Sequence, residues 1–193
     1  MVSDVAVARR ARRARPFATL TEAEARRALY IDFEGGKDRP PVLLGTLRRA
    51  SRGPDPFVFQ VVVDPEFAAA GPELLPLIEA IERVVVRAEA RDRRIVAWTE
   101  HELTVVRAAC ADRPDLVERF ERRFANARLV ARRWVNRLHA GEEPADGSLA
   151  SYLAVIGYRV PRAAEAGRVG DTIRALRPTL RAGRSTTSDR SPG

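Results

Sequence analysis

Cysteine and histidine are nearly absent: Cys110, His101 and His139 are all that the 193 residues contain. A lone thiol excludes an internal disulfide, and with two histidines it cannot build a zinc site. A catalytic metal would therefore be held by carboxylate oxygens, which favours Mg²⁺ or Mn²⁺. Lysine is as scarce as cysteine. Lys37 is the only one, so 33 of the 34 basic residues are arginine. The chain also lacks an apolar run of the ~18 residues that span a bilayer, and its N-terminus lacks the apolar core of a secretory signal. The expectation is a soluble cytoplasmic protein without a membrane partner.

What is present is the composition of a globular domain, 45% hydrophobic and 31% charged. A net charge of +8 and a pI near 10.9 predict attraction to polyanions, nucleic acid first. Arginine together with abundant Ala, Val and Pro also follows from GC-rich coding, which competes with selection for phosphate binding.

Residues 1–20 read as a basic arm carrying Arg9, Arg10, Arg12, Arg13 and Arg15, and 181–193 as a Ser/Thr/Arg/Gly tail with nothing to bury. The domain is expected over 21–180. Thr21 and Glu24 have capping-box spacing, predicting a short helix over 22–28. Apolar runs at 29–34, 41–47 and 57–63, separated by short turns, predict an antiparallel three-stranded meander. From Pro72 to Arg91 the apolar period becomes helical, with Leu74, Leu77, Ile78, Ile81, Val84, Val85 and Ala88 on one stripe. Ile95 to Trp98 is a short strand, parallel to the meander through that crossover. Helices follow from Thr99 and over 114–124, then an edge strand around 127–131. Ser148 caps a helix that Gly157 ends, and a last helix begins at Asp171.

Within this order, Leu29-Tyr30-Ile31-Asp32-Phe33-Glu34 is set apart by two acids at alternate positions of an apolar strand. Ile31 and Phe33 then point into packing, and Asp32 and Glu34 share the other face, roughly 6 to 7 Å apart at the backbone. That separation lets both carboxylates reach one cation or a pair. The same acid-x-acid spacing recurs at Glu22/Glu24, Asp64/Glu66 and Glu100/Glu102, but not at the end of an apolar strand.

Three antiparallel strands, helix, strand, helix, strand and closing helices is the arrangement of the ribonuclease H-like α/β fold, a central mixed sheet of about five strands with flanking helices. Tyr30-Ile31-Asp32-Phe33-Glu34 resembles the first motif of the DEDD group of 3′-to-5′ exonucleases. Ala97-Trp98-Thr99-Glu100-His101-Glu102-Leu103 resembles the second motif, and is closer still to predicted nuclease modules related to that group. Arg168-Val169-Gly170-Asp171 is similar to the last. The resemblance implies a four-carboxylate site of Asp32, Glu34, Glu102 and Asp171, holding Mg²⁺ or Mn²⁺ and hydrolysing DNA or RNA. It also implies a His or Tyr before the last acid to orient water. Here those positions are Ala166 and Arg168, and arginine accepts no proton. His101 is the substitute at hand. Where many relatives of the fold open strand five with an acid, this chain has Asn126.

Other readings of the same residues stand beside this one. Thr99 and Glu102 have the spacing of a capping box, and Asp171 suits a helix N-terminus. Arg162, Arg168 and Arg174 lie near the last motif and suit a backbone phosphate. Trp98 and Trp134 are expected in the core rather than as stacking platforms, and Tyr152 and Tyr158 in packing. The functional alternative is a catalytically impaired ribonuclease H-like domain that serves as a nucleic-acid-binding or adaptor module.

Overall fold

A computed structural model of the chain describes residues 19–34, 41, 43–50, 75–139, 141 and 143–160, and the backbone of 57–63. The basic arm to residue 18, the last helix and the tail fall outside the described residues, and with them Arg162, Arg168, Asp171 and Arg174. Helix α1 (Glu22–Arg27) opens with the expected capping box, in which Thr21 Oγ1 accepts from Glu24 N and the Glu24 carboxylate accepts from Thr21 N.

Strands β1 (Leu29–Glu34), β2 (Leu43–Arg49) and β3 (Phe57–Val63) are antiparallel neighbours. Helix α2 (Leu77–Ala90) returns the chain so that β4 (Ile95–Ala97) pairs parallel with β1. Helices α3 (His101–Ala109) and α4 (Pro114–Arg123) make the next crossover, and β5 (Phe124–Asn126) pairs parallel with β4. The result is an α/β fold on one mixed sheet in the order β3-β2-β1-β4-β5. Helices α5 (Ala127–Leu138) and α6 (Leu149–Val155) follow. No helix among the described residues is long and apolar enough to cross a membrane.

Period-two alternation divides the faces of the sheet. Leu29, Ile31, Phe33, Leu44, Ile95, Ala97 and Phe124 join one core with Ile81, Val84, Val85 and Ala88 of α2, Leu103 and Val106 of α3, and Leu116 and Phe120 of α4. Phe120 stacks on Phe124 with ring centroids 5.7 Å apart, tying α4 to β5. The opposite face carries a smaller cluster of Ala28, Val96 and Ala125, with Tyr30 against it. Tyr30 extends its hydroxyl to Ala25 O at 3.0 Å and so fastens α1 to β1.

At the N-terminal edge of the parallel strands, Arg94 works as a clamp. Its Nε donates to Arg123 O at 3.0 Å and its Nη2 to Phe124 O at 2.9 Å, while Nη1 lies 3.7 Å from Glu24.

Several expectations need correction. The last strand lies at Phe124–Asn126, not around 127–131, which is helical. Asn126 decides this, because its Oδ1 accepts from Leu129 N at 3.1 Å and turns the chain into α5. Asn126→Ala is expected to cost about 1 kcal/mol, within a range of about 0.5 to 2, read as a lowered denaturation midpoint. Helix α2 begins at Leu77 rather than Pro72, and Ile78 is 40% exposed, off its buried stripe. Trp134 and Tyr158 are exposed rather than packed in the core. Trp98 is half-buried, with its indole N–H donating to Gly147 O at 2.9 Å and its ring meeting Tyr152 edge-on at 5.3 Å.

Candidate active site

The C-terminal ends of β1 and β4 lie side by side, because the two strands are parallel and start level, with Leu29 opposite Ile95. In open α/β sheets this edge is where strand-borne side chains and the following helix converge on a ligand. Asp32 and Glu34 stand there on the face away from the main core, while Ile31 and Phe33 are buried, as their alternation predicts. The residue of β2 opposite Asp32 is Gly45, so no neighbouring side chain on that strand crowds the carboxylate.

The two strand acids lie close enough on one face for each to act on the other's ionisation. Burial, the neighbouring Asp32 carboxyl and the charge of Glu102 push the Glu34 carboxyl up to about 7. Asp32 is also raised, by lost hydration and then by the charge of Glu102, against the opposing effects of Glu34 and His101. Its carboxyl is reachable from solvent by surface area, yet enough protein flanks it to thin its hydration. Of the two, Glu34 is the one whose carboxyl is pushed up toward neutral pH.

Glu102 reaches this neighbourhood from the first turn of α3 and is only 5% exposed. The capping box expected of Thr99 and Glu102 is not what holds it. The N-cap of α3 is Glu100, without a side-chain cap bond, and Thr99 Oγ1 accepts instead from His101 N at 3.1 Å. The same hydroxyl donates to Glu102 Oε2 at 3.1 Å, so Thr99 fixes one carboxylate oxygen.

The ion pairs formed among the described residues engage other acids: Arg94 with Glu24, Arg107 with Glu121, Arg119 with Glu89 and Arg123 with Asp92. Three acids therefore act on one another electrostatically without an arginine partner among the described residues. Like carboxylates so placed take up a proton or a cation. Among the described residues no three His, Cys, Asp or Glu side chains are drawn up at metal-ligand spacing. No protein family, curated protein or solved structure matches the chain. The reading of this site therefore rests on its own chemistry and its place in the fold.

Of the residues singled out in the sequence, Asp32, Glu34 and Glu102 act electrostatically on one another, whereas what lies beyond Trp98 was missed. Arg128 and Arg132 of α5 face a cavity shared with Gly147 and Tyr152. The signal was available in Asn126: a cap at that position puts residues 128 and 132 one helical turn apart on one face.

Proposed function

We propose that this protein is a metal-dependent nuclease of ribonuclease H-like fold, resembling the DEDD 3′-to-5′ exonucleases, that hydrolyses phosphodiester bonds of DNA or RNA. The observation that carries the reading is the placement of Asp32 and Glu34 on one face at the end of the central strand, with buried Glu102 in the first turn of the helix beside them and its charge acting on both. The sheet order β3-β2-β1-β4-β5 supports it, since it puts the Asp-x-Glu strand in the centre and the Glu102 helix beside it.

In chemical type, though not drawn up at ligand spacing among the described residues, the donor set suits a hard divalent cation. It consists of carboxylate oxygens alone, it lacks an arginine partner among the described residues, and the proton it holds is released near neutral pH. Asp32, Glu34 and Glu102 would hold Mg²⁺ or Mn²⁺, with Asp171 as the fourth ligand. Bound there, the cation supplies hydroxide near neutral pH and charge stabilisation for the leaving oxygen.

The chain's own contribution is positional. Strand β1 fixes the direction of two carboxylates, Thr99 orients the third, and His101 adds an imidazole beside Asp32 that can accept a proton. With Ala166 and Arg168 ahead of Asp171, His101 is the group for orienting the attacking water.

End-labelled single-stranded DNA and RNA, incubated with Mg²⁺ or Mn²⁺ and in parallel with EDTA, test the reading. Stepwise shortening of the strand that EDTA abolishes is expected. Tight binding without shortening in any of these conditions would favour the adaptor alternative, to which Ala166 and Arg168 also point.

A further inference from the structure

A cavity of about 300 Å³ lies between the start of α5 and the segment leading into α6, lined by Arg128, Leu129, Arg132, Asp146, Gly147 and Tyr152 among others. Its size is at the lower end of small-ligand sites. Arg128 and Arg132 sit one turn apart on an exposed face, and among the described residues neither guanidinium has a hydrogen-bond or ion-pair partner. Two like charges at that spacing cost α5 a few tenths of a kcal/mol, and the helix carries no acid in its first turn to offset them.

The opposite wall is built rather than incidental. Asp146 Oδ1 accepts from Ser148 N and Ser151 Oγ, both at 2.7 Å, which fixes the loop and commits that oxygen. Gly147 O accepts from the Trp98 indole, and Tyr152 rests against the same ring. A Cβ at Gly147 would lie 2.9 Å from Arg128 Nη1, so only glycine lets the guanidinium lie across the loop as it does.

The cavity is also tied to the candidate active site. Arg128 N donates to Trp98 O at 3.0 Å, and Trp98 directly precedes Thr99, whose hydroxyl holds Glu102. Paired guanidiniums match phosphate oxygens in a fork, and a tyrosine ring beside them offers a stacking surface to an unpaired base.

We propose that this cavity is the phosphate subsite for a single nucleic-acid strand, with Arg128 and Arg132 holding one backbone phosphate and Tyr152 meeting the adjoining base. The choice of a strand as ligand rests on the nuclease reading; the anion site itself does not.

The test is fluorescence anisotropy of labelled oligo-dT and oligo-U in EDTA, so that binding is read without hydrolysis. Arg128→Ala/Arg132→Ala is expected to weaken binding about tenfold or more, and to flatten the dependence of log affinity on log salt by about 0.7 for each phosphate that is no longer neutralised. Both side chains are exposed, so the fold tolerates the change. Arg128→Lys/Arg132→Lys should keep the salt slope but bind several-fold more weakly, because the fork is lost. Gly147→Ala should also weaken binding while leaving the melting temperature nearly unchanged, since it displaces only the end of a flexible side chain. Arg26→Ala/Arg122→Ala, which removes the same charge from exposed helix positions elsewhere, should stay within about twofold of the wild type.

Equal weakening by the two alanine pairs, or an oligonucleotide that the wild type does not bind, overturns the subsite. Cleavage that persists while Arg128→Ala/Arg132→Ala binds normally sinks the subsite and spares the nuclease reading. Arginine-dependent binding in a wild type that cleaves nothing does the reverse.

Discussion

Asp32→Asn is expected to lower Mg²⁺- or Mn²⁺-dependent hydrolysis by at least about a thousandfold, since cation-borne stabilisation is worth several kcal/mol and each 1.4 kcal/mol is about tenfold in rate. The substitution is nearly isosteric and falls on a side chain that faces away from the core, opposite Gly45. The folded state should survive it. Removing the Asp32 charge should leave the metal-free protein equally or more stable, because the Glu102 and Asp32 charges both act to raise the neighbouring carboxyls. Rates on end-labelled strands and melting curves of the same preparations give both quantities. Activity within tenfold of wild type would remove Asp32 from the site; a collapse of stability would mean that its role is architectural.

The second large effect is a pH dependence set by Glu34. Its carboxyl titrates near 7 in the fold against an ordinary value of 4.5. Because the folded state holds this proton more tightly than the unfolded chain, its contribution to stability is complete below about pH 4.5 and is lost as pH rises through about 7. Glu34 is half-buried, and solvent screening reduces the loss to on the order of 1 kcal/mol, or a fall of about 2 to 4 °C in melting temperature between pH 5 and 8. Carboxyls held low by hydrogen bonds, such as Glu24 and Asp146, act in the opposite sense, but at more acid pH. Glu34→Gln should flatten the pH 5 to 8 slope. A divalent cation should raise the melting temperature above pH 7 and much less at pH 5, where it competes with the Glu34 proton. A melting temperature that is flat with pH in the wild type, or a cation effect as large at pH 5 as at pH 8, would contradict the assignment.

The strand that carries Asp32 and Glu34 was legible because one physical constraint writes the whole pattern: Leu29, Ile31 and Phe33 must be buried, so the residues between them cannot be. The long helix α2 was legible in the same way, although its start was not, since Leu74 continues the apolar period while Pro76 stands where the helix is capped. Strand β5 was misplaced because Leu129, Val130 and Ala131 are as compatible with a strand as with a helix. The deciding interaction, Asn126 to Leu129 N, is a hydrogen bond and not a hydrophobic period. Trp134 was misread for a related reason. Size and apolarity favour burial, but a residue's side of a helix depends on where that helix begins, and α5 begins four residues earlier than the end of the strand expected there. Arg128 and Arg132 went unremarked as a pair among 33 arginines because the helix cap at Asn126 that sets their spacing was read as part of a strand, and the wall opposite them depends on the Trp98–Gly147 bond.

The Arg94 clamp makes the two ends of the parallel strands unequal in exchange behaviour. It joins α1, β4 and the entry to β5 at the edge opposite the acids, where Leu29 N also donates to Arg94 O at 2.9 Å. Amide hydrogens near that edge should thus exchange with solvent only when the domain opens as a whole, while those of Thr99 to Glu102 should exchange through smaller, local openings. If the carboxylate cluster trades a proton for a cation as proposed, it gains from this placement: the edge that adjusts is the one whose adjustment leaves the rest of the sheet closed.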